Sequence, residues 1–307
     1  MTTPALPARE GVLVIGSGEL GSSVLDALSR HSDRDADLRT VTLMVRRATT
    51  DQARRRAEDL AAKGIALIEA DIVDATIPEL AAIMGRYHTV VSCIGMTAGR
   101  GTQLKLAKAA VAGEVPRYFP WQFGMDYDVI GRGSPQDLFD EQLDVRDLLR
   151  GQDTTQWVIV STGLFTSFLF EPSFGVVDLE TNTVNALGSW DNEATLTTPE
   201  DIGVLTAEII HARPRIANQV VFVAGDTISY RQLADVVEQV RGKPVTRTEW
   251  SLPYLLDELK RHPTDEMKKY HAVFAPAKGV AWPKEESYNA LRGIKTTTVA
   301  DWARDHL

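Results

Sequence analysis

Residues 11–30, GVLVIGSGELGSSVLDALSR, join a short apolar strand, a glycine-rich turn and an amphipathic helix without interruption. Gly16, Gly18 and Gly21 have the GxGxxG spacing, in which the glycines allow a tight turn, close approach of a pyrophosphate and close helix packing. The N–H groups that open the helix also attract phosphate. This segment predicts a dinucleotide-binding Rossmann-type fold. The predicted phosphate-binding residues are Gly16, Ser17, Gly18, Glu19, Leu20 and Gly21.

Strand-like and helix-like patterns alternate through the first half of the chain, which predicts a parallel sheet with helices on both faces. The predicted strands are Gly11–Ile15, Thr40–Val45, Ile65–Glu69, Thr89–Cys93, Arg117–Phe119 and Trp157–Ser161. The predicted helices cover residues 19–31, 51–62, 76–85, 101–113 and 135–150. We therefore expect an α/β fold, a doubly wound parallel sheet followed by a smaller, α-rich C-terminal lobe.

The second strand ends in LMVRR, residues 43–47. NAD-specific sites of this fold usually present a carboxylate there to the ribose 2′-hydroxyl. Arg46 holds that position and Arg47 follows it, and a guanidinium can pair with a 2′-phosphate in a bidentate manner. NADP(H) is therefore the predicted cofactor, bound by a domain of residues 1–160.

Further cofactor contacts are expected where the later strands end. Asp71 follows the third strand, where its carboxylate either meets the adenine amino group or caps the turn. The residues after the fourth strand should lie along the pyrophosphate and the nicotinamide ribose. The predicted contacts from the fourth and fifth strand ends are Ser92, Cys93, Ile94, Gly95, Phe119 and Gln122.

Composition argues against several other classes of function. The net charge of −9 and the isoelectric point of about 5.2 give no electrostatic surface for a nucleic acid or an anionic membrane. The single cysteine, Cys93, excludes an intramolecular disulfide and a multi-cysteine zinc site, and no metal is expected. Neither a signal sequence nor a run of eighteen apolar residues is evident, so a cytoplasmic location is expected.

With these features in view, residues 115–128, VPRYFPWQFGMDYD, give the chain a more specific likeness. It resembles the NmrA-like and isoflavone-reductase-like branch of the atypical short-chain dehydrogenase/reductases over about residues 10–250. It is also similar to aromatic alcohol reductase-like proteins of bacteria and fungi. The resemblance implies NADPH-dependent reduction of a small aromatic or phenylpropanoid-like molecule.

The chain departs from this family at the position of the catalytic lysine. In the plant reductases that lysine lies on the helix after the FG pair, and alignment places Gln142 there. The Tyr-x-x-x-Lys pair is absent too, because Gln122 and Gly131 stand four positions after Tyr118 and Tyr127. A glutamine amide donates a hydrogen bond but is not a proton donor of tuned pKa.

Three functions remain open at this point. A reductase could orient its substrate through Gln142, Tyr127 or a water molecule. A non-catalytic regulator of the NmrA type would bind NADP(H) and report redox state to a protein partner. An isomerase or lyase could use the nucleotide structurally. A homodimer is compatible with the sequence.

Aromatic residues are frequent in the segments expected to flank the nicotinamide, and such side chains form either a pocket for a flat ligand or part of the core. We expect residues 161–307 to form mainly the substrate-binding lobe, with some strands and helices returning to the core. The predicted pocket residues are Trp121, Phe123, Phe165, Phe168 and Trp190.

Overall fold

A computed structural model of the protein describes residues 9–31, 38, 40–46, 51–95 and 98–307, and for residues 51–54, 56 and 57 it describes the backbone alone. Within these residues the largest sheet has seven strands, which are β1 (Glu10–Ile15), β2 (Val41–Val45), β3 (Ile65–Glu69), β4 (Tyr87–Ser92), β5 (Arg117–Phe119), β6 (Gln156–Ser161) and β11 (Gln219–Phe222). Their order across the sheet is β11-β6-β5-β4-β1-β2-β3.

The sheet is parallel. The pairs from β3 to β6 are parallel throughout, and backbone bonds from Asn218 to Trp157 and from Val223 to Ser161 show that β11 runs the same way. Residues 12–15 of β1 are completely buried, as in a sheet covered on both faces. The predicted doubly wound α/β fold is confirmed.

Helices follow the strands as the alternating pattern predicted. They are α1 (Glu19–Arg30), α2 (Asp51–Ala62), α3 (Ile77–Met84), α4 (Thr102–Ala112), the short α5 (Tyr127–Ile130) and α6 (Leu138–Arg150). The helix and strand bounds predicted from the sequence differ from those in the structure by at most three residues. Among the strands, the largest difference is at β4, which begins two residues before the predicted start at Thr89 because Tyr87 pairs with Glu10.

The later part of the chain adds two three-stranded sheets, β12-β10-β7 and β13-β9-β8. Their strands are β7 (Leu164–Phe165), β8 (Val177–Asp178), β9 (Thr183–Leu187), β10 (Glu193–Thr197), β12 (Asp226–Ser229) and β13 (Thr246–Trp250). The helices are α7 (Pro199–His211), α8 (Tyr230–Arg241), α9 (Leu252–Arg261), α10 (Glu266–Phe274), α11 (Tyr288–Leu291) and α12 (Val299–His306). No described helix is long and apolar enough to cross a membrane.

The chain divides into two compact units that do not follow chain order. The first unit contains Met1–Trp121, Asp144–Ile159 and Thr206–Gln219, and the second contains Gln122–Leu143, Val160–Leu205 and Val220–Leu307. The division passes within α6, β6, α7 and β11, so the units do not coincide with residues 1–160 and 161–307. The assignment of cofactor and substrate to those two ranges stays a prediction.

Candidate functional site

The glycine turn of the first unit joins β1 to α1. Gly16 has a φ of +95°, and a Cβ atom there would lie 2.7 Å from Ile94 Cδ1. A Cβ atom on Gly21 would lie 2.1 Å from the carbonyl oxygen of Gly16, so this glycine lets α1 pack against the turn. Both glycines are therefore required by the protein's own packing.

Gly18 differs from its two neighbours. It is exposed, its φ is −65°, and a Cβ atom there would meet no atom within 4 Å. Neither strain nor crowding demands a glycine at this position. Gly18 is also the N-cap of α1 and has no side chain to accept hydrogen bonds from the first N–H groups. This open turn has the shape and the donors that suit a pyrophosphate.

The remaining residues of the turn differ in exposure. Glu19 is exposed, Ser17 is half-buried and Leu20 is buried. A contact between Leu20 and a phosphate would therefore come from its main chain, since its side chain lies in the core.

Arg46 follows β2 directly and is exposed. β2 pairs with β1, and the Gly16 N–H donates to the Met44 carbonyl at 3.3 Å, so the ends of these two strands are adjacent. The structure thus brings Arg46 to the sheet edge that carries the glycine turn. Arg47 lies outside the described residues.

The loop after β3 is held from two sides. Asp71 Oδ1 accepts the N–H groups of Val73 at 2.8 Å and Asp74 at 3.3 Å, so its carboxylate caps the turn. From α4, Lys105 Nζ donates to the carbonyl oxygens of Ile72 and Val73, each at 2.9 Å. This contact was not predicted, because Lys105 is 32 residues from the nearer carbonyl along the chain.

The predicted residues after β4 lie close to the turn. Ser92 and Cys93 are buried, and burial raises the pKa of the Cys93 thiol far above its usual range, which keeps it protonated. Ile94 packs on Gly16, and its carbonyl accepts a hydrogen bond from Gln103 Nε2 at 2.8 Å. A Cβ atom on Gly95 would lie 3.5 Å from the Trp121 indole. The structure therefore brings Trp121 to Gly95.

Phe119 lies in the core of the first unit. Its ring is completely buried, with the Arg117 guanidinium 4.8 Å from its centroid. Arg117 is buried as well and donates to the carbonyl oxygens of Ile209, Ile210 and Ile216 at 2.7–3.1 Å. A cofactor contact from Phe119 would therefore have to come from its main chain.

In the second unit, the Gln122 side chain is hydrogen-bonded to the backbone of α6. Its Nε2 donates to the Gln142 carbonyl oxygen at 2.8 Å, and both glutamines are buried. Gln142 Oε1 is buried without a hydrogen-bond partner among the described residues. An unsatisfied buried acceptor costs about 1–3 kcal/mol, so this oxygen needs an explanation.

Tyr127 opens α5 and is buried. A Cβ atom on Gly124 would come within 2.4 Å of the Tyr127 hydroxyl, so that hydroxyl rests on the glycine of the FG pair. The Gly124 carbonyl accepts the N–H groups of Thr162 and Gly163. The glycine of the FG pair thus makes room for the Tyr127 hydroxyl.

Four rings form a continuous series, here called the aromatic row: Tyr127, Phe139, Tyr270 and Phe168. Successive centroids are 4.9, 5.9 and 6.1 Å apart. Burial raises the pKa of Tyr270 to about 12, so its hydroxyl is neutral at physiological pH. Phe139 and Tyr270 were missed from the sequence, although Phe139 stands three residues before Gln142 on α6.

The other predicted pocket residues do not join the aromatic row. Phe123 is buried, whereas Phe165 and Trp190 are half-buried, and neither of the latter makes a described ring contact with the row. Trp190 lies beside Arg247 instead, 6.0 Å from its guanidinium. Of the five predicted pocket aromatics, only Phe168 belongs to the row.

The parallel sheet and the glycine turn define a Rossmann-type α/β protein, and comparison with known proteins assigns it to a family. The model of the NmrA-like family matches residues 9–303. A Gibberella moniliformis protein named NmrA-like family domain-containing oxidoreductase is 45% identical over 300 residues, covering 96% of this chain and 98% of that protein. The chain belongs to the NmrA-like family, and the resemblance expected from the sequence is confirmed.

Solved structures share the fold at low identity. AtPrR2 with NADP+ and (+)-pinoresinol has a TM-score of 0.78 at 18% identity, covering 98% of this chain and 100% of that chain. Leucoanthocyanidin reductase with NADPH from Vitis vinifera has a TM-score of 0.76 at 19% identity, covering 96% and 98%. Both of these structural neighbours are reductases solved with NADP(H).

Proposed function

We propose that the protein is an NADPH-dependent reductase of a small aromatic substrate. The observation that carries this proposal is the glycine turn, where Gly18 leaves open space that the protein does not use. The exposed Arg46 at the end of the adjacent strand supports NADPH over NADH, because its guanidinium can pair with the 2′-phosphate. The cofactors of the structural neighbours also support this choice.

The substrate class is inferred from the second unit and from the relatives. Phe168 and Tyr270 of the aromatic row are half-buried, and their rings are the part of the row that we infer contacts a flat aromatic molecule. Among the relatives, AtPrR2 was solved with (+)-pinoresinol, an observation about that protein that supports an aromatic ligand here. We assign Tyr127 and Phe168 to substrate binding.

When bound, NADPH would supply a hydride to the substrate. The chain itself would orient and polarise the substrate, with Gln142 in the position of the family lysine. Because an amide provides a hydrogen bond but no proton, the proton would come from water or from the Tyr127 hydroxyl. Orientation and hydrogen bonding would then provide most of the rate enhancement.

The first experiment is calorimetric titration with NADPH and NADH, followed by absorbance of the nicotinamide with aromatic aldehydes, enones and imines. We expect NADPH to bind at least tenfold more tightly than NADH and to be oxidised by a member of the panel. Arg46→Glu should remove most of this preference, and Arg215→Glu, an equal charge change at another exposed arginine of the first unit, should leave it intact. Equal losses for both cofactors would remove Arg46 from the 2′-phosphate site.

A non-catalytic redox sensor is the second candidate. The observation favouring it is Gln142, because an amide replaces the ammonium group on which the family's proton transfer relies. Tight NADPH binding without turnover of any panel member would favour the sensor. Absence of NADPH binding would contradict both candidates.

A further inference from the structure

Trp121 differs from the other tryptophans of the chain, of which there are six in all. The other five have a described partner for the indole, which is an arginine, a second ring or a carbonyl oxygen: Trp157, Trp190, Trp250, Trp282 and Trp302. Within the described residues the half-buried Trp121 indole has no hydrogen bond, ring stacking or cation contact. Because an indole ring and its N–H normally find partners, those of Trp121 are available to a ligand.

This indole lies at the carboxyl end of the parallel sheet. β5 ends at Phe119, which pairs with Val91 of β4, so Trp121 and Gly95 follow neighbouring strands at the same edge. A Cβ atom on Gly95 would lie 3.5–3.9 Å from three atoms of the indole, including Nε1. Both residues are half-buried, so part of each is accessible to a ligand that lies along this edge.

A dinucleotide bound at this edge crosses the ends of four neighbouring strands, in the order β2, β1, β4 and β5. Arg46 follows β2, the glycine turn follows β1, Gly95 follows β4 and Trp121 follows β5. Adjacent strands are about 4.8 Å apart, so the path from β2 to β5 is roughly 14 Å wide. With the 2′-phosphate at Arg46 and the pyrophosphate at the glycine turn, the nicotinamide is the part of the cofactor that reaches Gly95 and Trp121.

We propose that Trp121 binds the nicotinamide ring and favours the oxidised form of the cofactor over the reduced form. The nicotinamide of NADP+ carries a positive charge, whereas that of NADPH is neutral. Tryptophan is the side chain whose ring attracts a cation most strongly, so contact with the indole adds an attraction that only NADP+ receives. This inference rests on the proposed binding of NADP(H). In a reductase the contact slows the release of NADP+, and in a redox sensor it distinguishes the two forms of the cofactor.

Calorimetry with NADP+ and with NADPH measures this discrimination directly. We expect Trp121→Leu to weaken NADP+ binding about tenfold and NADPH binding no more than about threefold, because only the oxidised ring loses an attraction between cation and indole. Trp121→Phe should weaken NADP+ binding less than Trp121→Leu, since phenylalanine keeps an aromatic face that attracts cations more weakly. The ratio of NADP+ affinity to NADPH affinity therefore decreases from the unaltered protein through Trp121→Phe to Trp121→Leu.

Two controls separate the nicotinamide contact from general damage to the site. Adenosine 2′,5′-bisphosphate has the 2′-phosphate but no nicotinamide, so Trp121→Leu should bind it as tightly as the unaltered protein does. Trp302→Phe replaces another half-buried tryptophan, which is stacked on Phe170 with centroids 4.6 Å apart, and it should keep both cofactor affinities. Thermal unfolding tests whether each variant is folded, and Trp121→Phe provides the comparison if Trp121→Leu is not.

Equal weakening of NADP+ and NADPH by the Trp121 variants overturns the proposal, as does an unchanged affinity for both. These outcomes are separate from those of the proposed function. A lowered affinity ratio in the variants, without NADPH oxidation by any member of the substrate panel, supports the Trp121 contact and contradicts the reductase. NADPH oxidation together with an unchanged ratio supports the reductase and contradicts the Trp121 contact.

Discussion

At the scale of single residues, Gly18 and Gly21 occupy the same turn for different reasons. The added Cβ atom of Gly18→Ala meets no protein atom, but alanine is a poorer N-cap than glycine, so we expect the free energy of unfolding to fall by about 1 kcal/mol or less. NADPH affinity should nevertheless fall about tenfold, because the methyl group occupies space that the pyrophosphate needs. Thermal unfolding and calorimetry measure the two effects separately.

Gly21→Ala is the matched comparison. Its Cβ atom would press on the Gly16 carbonyl, so we expect a loss of about 1–3 kcal/mol of stability, the usual range for overpacking. A Gly18→Ala protein that loses stability but binds NADPH normally would show that the open space has a structural purpose.

Single residues also show where sequence reasoning succeeds. The strand, the glycine turn and the helix that follows it are confirmed, because their meaning depends on a local sequence pattern, whereas the pairing of Arg46 with a 2′-phosphate stays a prediction. The bond from Gln122 to Gln142 and the ring contact between Phe139 and Tyr270 were not predicted, because they join residues 20 and 131 positions apart. Nothing in the local pattern around Gln122 distinguishes a residue that contacts cofactor from one that holds a helix.

At the scale of elements, Lys105 joins α4 to the loop after β3. Lys105→Met removes both bonds to the carbonyl oxygens of that loop, and we expect NADPH affinity to fall about threefold to tenfold as the loop loosens. Lys108→Met, an exposed lysine on the same helix, is the control and should bind NADPH normally. Calorimetry compares the two variants, and equal affinities would mean that the loop does not contact the cofactor.

Strand pairing shows the same limit of sequence reasoning. The parallel sheet was predicted because its strands alternate with helices along the chain. Pairing of β9 with β13 was not, because Thr183 and Thr246 are partners 63 positions apart.

At the scale of the whole molecule, His271 links stability to pH. Burial holds its pKa below the usual value, and its Nε2 donates to the Phe174 carbonyl at 2.7 Å. At pH values between the lowered pKa of His271 in the folded protein and about 6.5, the unfolded chain binds more protons than the folded protein. The contribution of His271 to stability is therefore complete above about pH 6.5 and is lost as the pH falls through this range. We expect the thermal midpoint to fall between about pH 7 and pH 5.5.

The size of the His271 effect is obtained from variants. His271→Gln keeps an N–H donor without a titrating ring and should flatten this pH dependence. His262→Gln, at an exposed histidine, should keep the slope of the unaltered protein. Identical slopes in all three proteins would remove His271 as the source.

The interleaving of the two units also affects how the chain is made and inherited. The chain passes from one unit to the other five times, and the last segment of the first unit ends at Gln219. A ribosome must therefore have synthesised about two-thirds of the protein before the first unit has all of its parts. Recombination that joined residues 1–160 to another partner would leave behind Thr206–Gln219, including the Ile209, Ile210 and Ile216 carbonyls that accept hydrogen bonds from the buried Arg117. A single crossover therefore cannot transfer the whole first unit without part of the second.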